Sequence, residues 1–196
     1  MQWIDEWVAF DTETTGLGPD ARIVEIGIVV FVQGEPVHEY SQLLCPDGVN
    51  WEDPNVQKAM EVNGISQEDL KGKPTFAEVY PRVLLELSLD VWVAHNASFD
   101  MQMLEQECSR IGKPKPEPAI LVCTKNLSSH LRMARTGNRL SEVAARYKVA
   151  QASAHRAVVD ARTCGLVLSS MVEQGSLPGH REDMKALCGR LAAKRW

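Results

Sequence analysis

The chain has 196 residues, 44% of them hydrophobic and 24% charged, which suits one globular domain with a buried core. A formal charge of −5 argues against a protein that coats nucleic acid through a basic surface. It leaves room for one that grips a few nucleotides and lets go, since an acidic site gains positive charge only with its cations. No apolar run approaches the roughly 18–20 residues of a membrane helix. Met1 to Glu6 carry no basic region followed by an apolar stretch, so no signal peptide is expected. The five cysteines are odd in number and lack a CxxC pair, which argues against a disulfide framework and a structural zinc site. Reduced thiols in a cytoplasmic protein are the expectation.

Trp7–Asp11 reads as a short buried strand. Arg22–Val32 is a second, rich in β-branched residues, and Val37–Leu44 a third. Gly16, Gly18 and Pro19, then Gly34 and Pro36, supply the turns of what reads as a meander. Asn63-Gly64 and Gly72-Lys73-Pro74 are loop signals. Thr75 can cap a helix with Phe76, Val79, Val83, Leu84 and Leu87 on one apolar face. Val91–Ala94 reads as another buried strand. Ser98 can cap a helix carrying Met101, Leu104, Cys108 and Ile111, terminated by Gly112 and Pro114. Ala119–Cys123 is a short, edge-like fifth strand. Helical patterns then cover Lys125–Ala134, Arg139–Tyr147 and about Arg156 to Glu173, with a last helix carrying Met184, Leu187 and Leu191. The expectation is an α/β fold, a central mixed five-stranded sheet flanked by helices. One domain would span 1–175, with a short helical appendage over 176–196.

Three clusters carry chemistry. Asp11 and Glu13 stand at i and i+2 where the first strand leaves the core, so both point to one face. Such a pair is costly to hold ionised unless cations sit between its members, although a solvated turn would also accommodate acids there. Asp100 opens the helix that follows Val91–Ala94; alone it reads as an acid favouring the helix dipole. His155 and Asp160 would lie about 140° apart on a single helix, so His155 is expected in the loop before the helix and Asp160 after its first turn. Histidine is the side chain best suited to exchange a proton near neutral pH. Together, four carboxylates suit a two-metal phosphoryl-transfer site, in which two divalent cations match four negative charges. Oxygen ligation favours two Mg²⁺ (or Mn²⁺) over zinc.

The stretches Phe10 to Leu17, His95 to Asp100 and His155 to Asp160 resemble, in order and spacing, the three motifs of the DEDDh family of 3′–5′ exonucleases. This branch of the RNase H-like superfamily includes the epsilon proofreading subunit of bacterial DNA polymerase III, and the likeness spans roughly residues 7–170. The resemblance implies an RNase H-like fold, Asp11 on both metals, Glu13 and Asp160 on the nucleophile side, Asp100 mainly on the other, and His155 as general base. It also implies that Thr12, Thr14 and Leu17 line the pocket for the terminal nucleotide, flanked by His95 and Phe99. Asn63 stands where the family often has histidine, and Cys123-Thr124 where it often has Asp-Thr. The implied reaction is release of nucleoside 5′-monophosphates from the 3′ end of single-stranded DNA, as in proofreading or repair. An exoribonuclease like RNase T or oligoribonuclease is the alternative, and a non-catalytic docking module a more distant one. Polymerase association and a homodimer through a helix such as Lys125–Ala134 stay open. Lys185, Arg190, Lys194 and Arg195 read as a solvated helix face or a nucleic-acid contact.

Overall fold

The computed structural model describes residues 5–131, 137–151, 155–178 and 180–193. Three strands, β1 (Glu6–Thr14), β2 (Ile23–Val32) and β3 (Glu35–Leu43), form the antiparallel meander. Three helices follow, α1 (Pro54–Asn63), α2 (Gln67–Leu70) and α3 (Phe76–Glu86). The chain then returns as β4 (Val91–Ala94), α4 (Ala97–Arg110) and β5 (Ile120–Cys123), with β4 parallel to both β1 and β5. It ends in α5 (Thr124–His130), α6 (Leu140–Arg146), α7 (Ala157–Glu173) and α8 (Arg181–Ala193). The sheet order is β3-β2-β1-β4-β5, so the expected mixed five-stranded sheet is present with β5 on an edge.

Alternation along β1 divides the core. Trp7 and Ala9 face a cluster with Val93, Val122, Val167 and Leu168 under α5 to α8, while Val8 and Phe10 face one with Phe76, Val83 and Leu104 under α3 and α4. Asp11 and Glu13 continue the first of these faces as β1 leaves the core, which places them on the α7 side. Because β1 and β4 run parallel, their carboxyl ends open on the same rim of the sheet.

α1 and α2 lie around the turns that Gly64 and Gly72 mark, in a stretch where the sequence pattern assigns no element. Their signals are local: Asp53 caps α1 ahead of Pro54 at its first turn, and Gly64, at φ 65°, is its left-handed C-cap. Ser66 and Asp69 form a reciprocal capping box on α2. Ser98 is not a cap but lies inside α4. Asn96, at φ 69° and without a side-chain cap bond, turns the chain directly from β4 into the helix, leaving no room for a later start. The helix expected over Lys125–Ala134 closes at His130, and 132–136 fall outside the described residues. Met184, Leu187, Cys188 and Leu191 of α8 pack in the same cluster as Val167, Leu168 and Met171 of α7. Lys194 and Arg195 lie outside the described residues. No described helix is long and apolar enough to cross a membrane.

Candidate active site

Strand alternation and the β1–β2 register build the floor of the site. Asp11 pairs with Gly27 and Glu13 with Glu25, so three carboxylates and one glycine share a face. The glycine is needed there. A Cβ at Gly27 would stand 2.1 Å from the backbone nitrogen of Val158, so the start of α7 lies directly on β2 at this point. That contact brings His155 and Asp160 over the end of β1. One ligand atom from each of Glu13, His155 and Asp160 lies within 4.8 Å of the others, a grouping that could hold a metal ion.

His155 sits outside α7, as expected, and Asp160 falls within its first turn rather than after it. His155 has a left-handed backbone, φ 64°, and its N–H donates to Oδ2 of Asp160 at 3.2 Å. Gln151 donates to the other oxygen, Oδ1, at 2.6 Å. Asp160 therefore has the partners that its apolar neighbours in the sequence demand. Asp100 arrives from the opposite layer. It is buried in the first turn of α4, and its Oδ1 accepts from both the N–H and the hydroxyl of Thr12, at 3.1 and 2.9 Å.

Electrostatics in this arrangement favour cations. Burial, then the charges of Asp100, Glu13, Asp160 and Glu25, hold the half-buried Asp11 well above the ordinary carboxylate range. Burial and the charges of Asp160, Glu25 and Asp100 push Glu13 up to about 8, against a smaller opposing pull from Arg156. Burial pushes Asp100 up to about 7 despite the bonds from Thr12. Asp160 is raised by burial and pulled back by Gln151 and His155. Four acids that resist ionisation together fit divalent cations, because positive charge among them removes both the crowding and the desolvation cost.

The expected substrate residues separate into two groups. Thr14 and Leu17 line an open cleft of about 710 Å³ between the turn after β1 and α1, together with Val56, Val62 and Asn63. Leu17 is 81% exposed at its mouth, and Asn63 donates to the Thr14 carbonyl at 2.9 Å. Phe99 is half-buried against the α3–α4 cluster. Thr12 and His95 are instead engaged with the protein. Thr12 is buried and holds Asp100. His95 meets the Thr124 hydroxyl through Nδ1 at 2.9 Å and the Asn138 carbonyl through Nε2 at 2.8 Å. Because a carbonyl only accepts, Nε2 carries the hydrogen and Nδ1 accepts. Burial lowers the His95 pKa to about 4, so the ring is neutral near pH 7. Glu25, Arg156 and Gln151 also belong to this constellation, although motif reading gives them no role, and Asn63 joins it from the position where the family often has histidine. The only sequence signal for Glu25 is an acid inside an otherwise apolar strand.

The sheet order and the gathering of acids at the end of β1 are those expected of an RNase H-like exonuclease. The family model described as Exonuclease (RNase T) matches residues 8–168, and the chain belongs to that family. It is a hydrolytic 3′–5′ exonuclease of the DEDDh type. DNA polymerase III subunit epsilon of Treponema pallidum is 34% identical over 169 residues, covering 85% of this chain and 76% of the relative. The PolC-type DNA polymerase III of Clostridium perfringens is 33% identical over 187 residues, 93% of this chain but 12% of that much longer protein. Among solved structures, exonuclease X in complex with 5′ overhanging duplex DNA superposes with a TM-score of 0.71 at 25% identity, covering 93% of this chain and 99% of that one. The nuclease domain of 3′hExo, a DEDDh family member bound to rAMP, gives a TM-score of 0.73 at 16% identity, covering 88% and 94%, and bears on the fold alone.

Proposed function

We propose that the protein removes nucleotides one at a time from the 3′ end of single-stranded DNA, releasing nucleoside 5′-monophosphates, as a proofreading or repair exonuclease. The observation that carries this reading is the convergence of Glu13, His155 and Asp160 within 4.8 Å, beside Asp11 and Asp100, at the carboxyl end of β1. The names of the T. pallidum and C. perfringens relatives support DNA as substrate and a DNA polymerase as working partner.

Asp11, Glu13, Asp100 and Asp160 would hold two Mg²⁺ or Mn²⁺. When bound, the cations polarise the scissile phosphate and offset the charge of the quartet. His155 accepts the proton of the attacking water, its own backbone being held by the bond from its N–H to Asp160. Thr12 fixes the orientation of Asp100. The cleft beside Thr14 and Leu17 receives the terminal nucleotide, with the exposed Leu17 offering an apolar surface to a base.

Degradation of 5′-labelled single-stranded DNA and RNA of one sequence, side by side in Mg²⁺, tests the substrate. Faster stepwise shortening of the DNA from its 3′ end is expected. Faster loss of the RNA would replace this reading with RNA turnover.

A further inference from the structure

Beyond the quartet and its histidine, we propose that the ion pair between the buried Glu25 and the half-exposed Arg156 is a positioning device for the general base, acting on catalysis through His155. The proposal rests on the exonuclease reading above.

Glu25 is fully buried and stands across the β1–β2 pair from Glu13, so it could be taken for a fifth ligand. Its bonds point elsewhere. Oε1 accepts from Nε and Nη2 of Arg156, at 3.2 and 2.9 Å, and from the Ser41 hydroxyl at 3.3 Å. Oε2 accepts from Arg156 Nε and from the Ala157 N–H, both at 3.2 Å. Both oxygens are thus occupied by the residues that open α7. Arg156 is the N-cap of that helix but makes no side-chain cap bond, and Ala157 carries one of its unpaired N–H groups. Glu25 acts as the missing cap, supplied from a strand 131 residues earlier in the chain.

The clamp grips the residue next to His155. With Arg156 held to Glu25, and with Ala157 and Val158 seated on Gly27, the chain just before the helix has little freedom. His155 is kept there in a left-handed conformation that a side-chain-bearing residue seldom adopts without support. Released, its backbone would relax and swing the imidazole away from Glu13 and Asp160. A bidentate guanidinium fits this task better than an ammonium would, since it fixes direction as well as charge.

Six variants test this, each assayed for kcat and KM on 5′-labelled single-stranded DNA in Mg²⁺. Arg156→Ala is expected to lower kcat about 10–100-fold with KM changed less than about twofold, and Arg156→Lys to recover part of the loss. Because Arg156→Ala strands a buried carboxylate and could unfold the chain, Glu25→Gln/Arg156→Gln provides a variant with no unpaired charge. It should fold and show a similar kcat loss. In a His155→Ala background, itself expected to cost about 10²–10⁴-fold, Arg156→Ala should add less than about twofold. Arg162→Ala, which removes the exposed Arg162–Glu39 pair on the same helix, should leave kcat at the wild-type value. The imidazole proton signal of His155 in the metal-free protein, assigned by its loss in His155→Ala, should move in the Glu25→Gln/Arg156→Gln variant and stay in place in Arg162→Ala. This signal judges the clamp even if the substrate assignment fails. A wild-type kcat in the Gln/Gln variant, an equal loss with and without His155, an effect confined to KM, or an unmoved His155 signal would each overturn the proposal.

Discussion

Thr12 donates twice to a single oxygen of Asp100, through its N–H at 3.1 Å and its hydroxyl at 2.9 Å, and so ties the first strand to the first turn of α4. The two layers of the fold meet at the active site through this contact. Thr12→Val keeps the shape and the N–H but deletes the hydroxyl donor. It should reduce Mg²⁺ affinity or kcat about 10–100-fold, the usual effect of losing a group that orients a metal ligand. Thr12→Ser should lie near wild type. Calorimetric Mg²⁺ titration of the three proteins checks this, and equal affinity and kcat in all of them would leave Asp100 with no need of Thr12.

Crowding of the acids predicts a conflict between activity and stability. Asp11 is raised by burial and by four neighbouring carboxylates, so its ionised form works against the metal-free fold. Asp11→Asn should raise the Tm in EDTA by about 2–4 °C, corresponding to about 1 kcal/mol, while removing hydrolysis. A lower Tm in EDTA would mean that the carboxylate is stabilised by contacts other than cations.

The same crowding sets a pH dependence. Glu13 titrates near 8 in the fold against an ordinary 4.5, and Asp100 near 7 against 3.8. Both are raised, so their contribution to stability is complete below the ordinary values and is lost as pH rises through about 7–8. Metal-free protein should therefore lose Tm between about pH 4.5 and pH 8, and the Tm gained on adding Mg²⁺ should be larger at the higher pH. A gain that is the same at both would contradict the assigned ligands.

His95 carries the opposite sign. Its pKa falls to about 4 from 6.5, so the stability it provides is present above 6.5 and lost as pH falls toward 4. His95→Ala should cost about 1–3 kcal/mol at pH 7, because the Thr124 hydroxyl and the Asn138 carbonyl lose a partner. Denaturant unfolding at pH 7 and pH 5 should show a difference between wild type and variant that narrows at the lower pH. A difference that widens would mean that the ring is charged in the fold.

Much of this was legible in the sequence because it depends on short-range periodicity. The i, i+2 spacing of Asp11 and Glu13 fixes their common face. Five residues of helix would set His155 and Asp160 about 140° apart, which puts His155 outside α7. Failures came where partners are distant or signals compete. Glu25 looks like one acid in a β-branched strand until Arg156 folds onto it from 131 residues away. Asn63-Gly64 reads equally as a loop or as the end of a polar helix, and the Asp53-Pro54 start decides for α1. The engagement of Thr12 with Asp100 crosses 88 residues and cannot be inferred from either motif alone.

The acids gathered at the end of β1 are proposed as the hydrolytic centre. Its most direct test is digestion of 5′-labelled single-stranded DNA by wild type in Mg²⁺, by wild type in EDTA, and by Asp11→Ala in Mg²⁺. A ladder shortening from the 3′ end is expected in the first reaction only. A ladder of equal rate from Asp11→Ala, with wild type active, would place the chemistry elsewhere in the molecule.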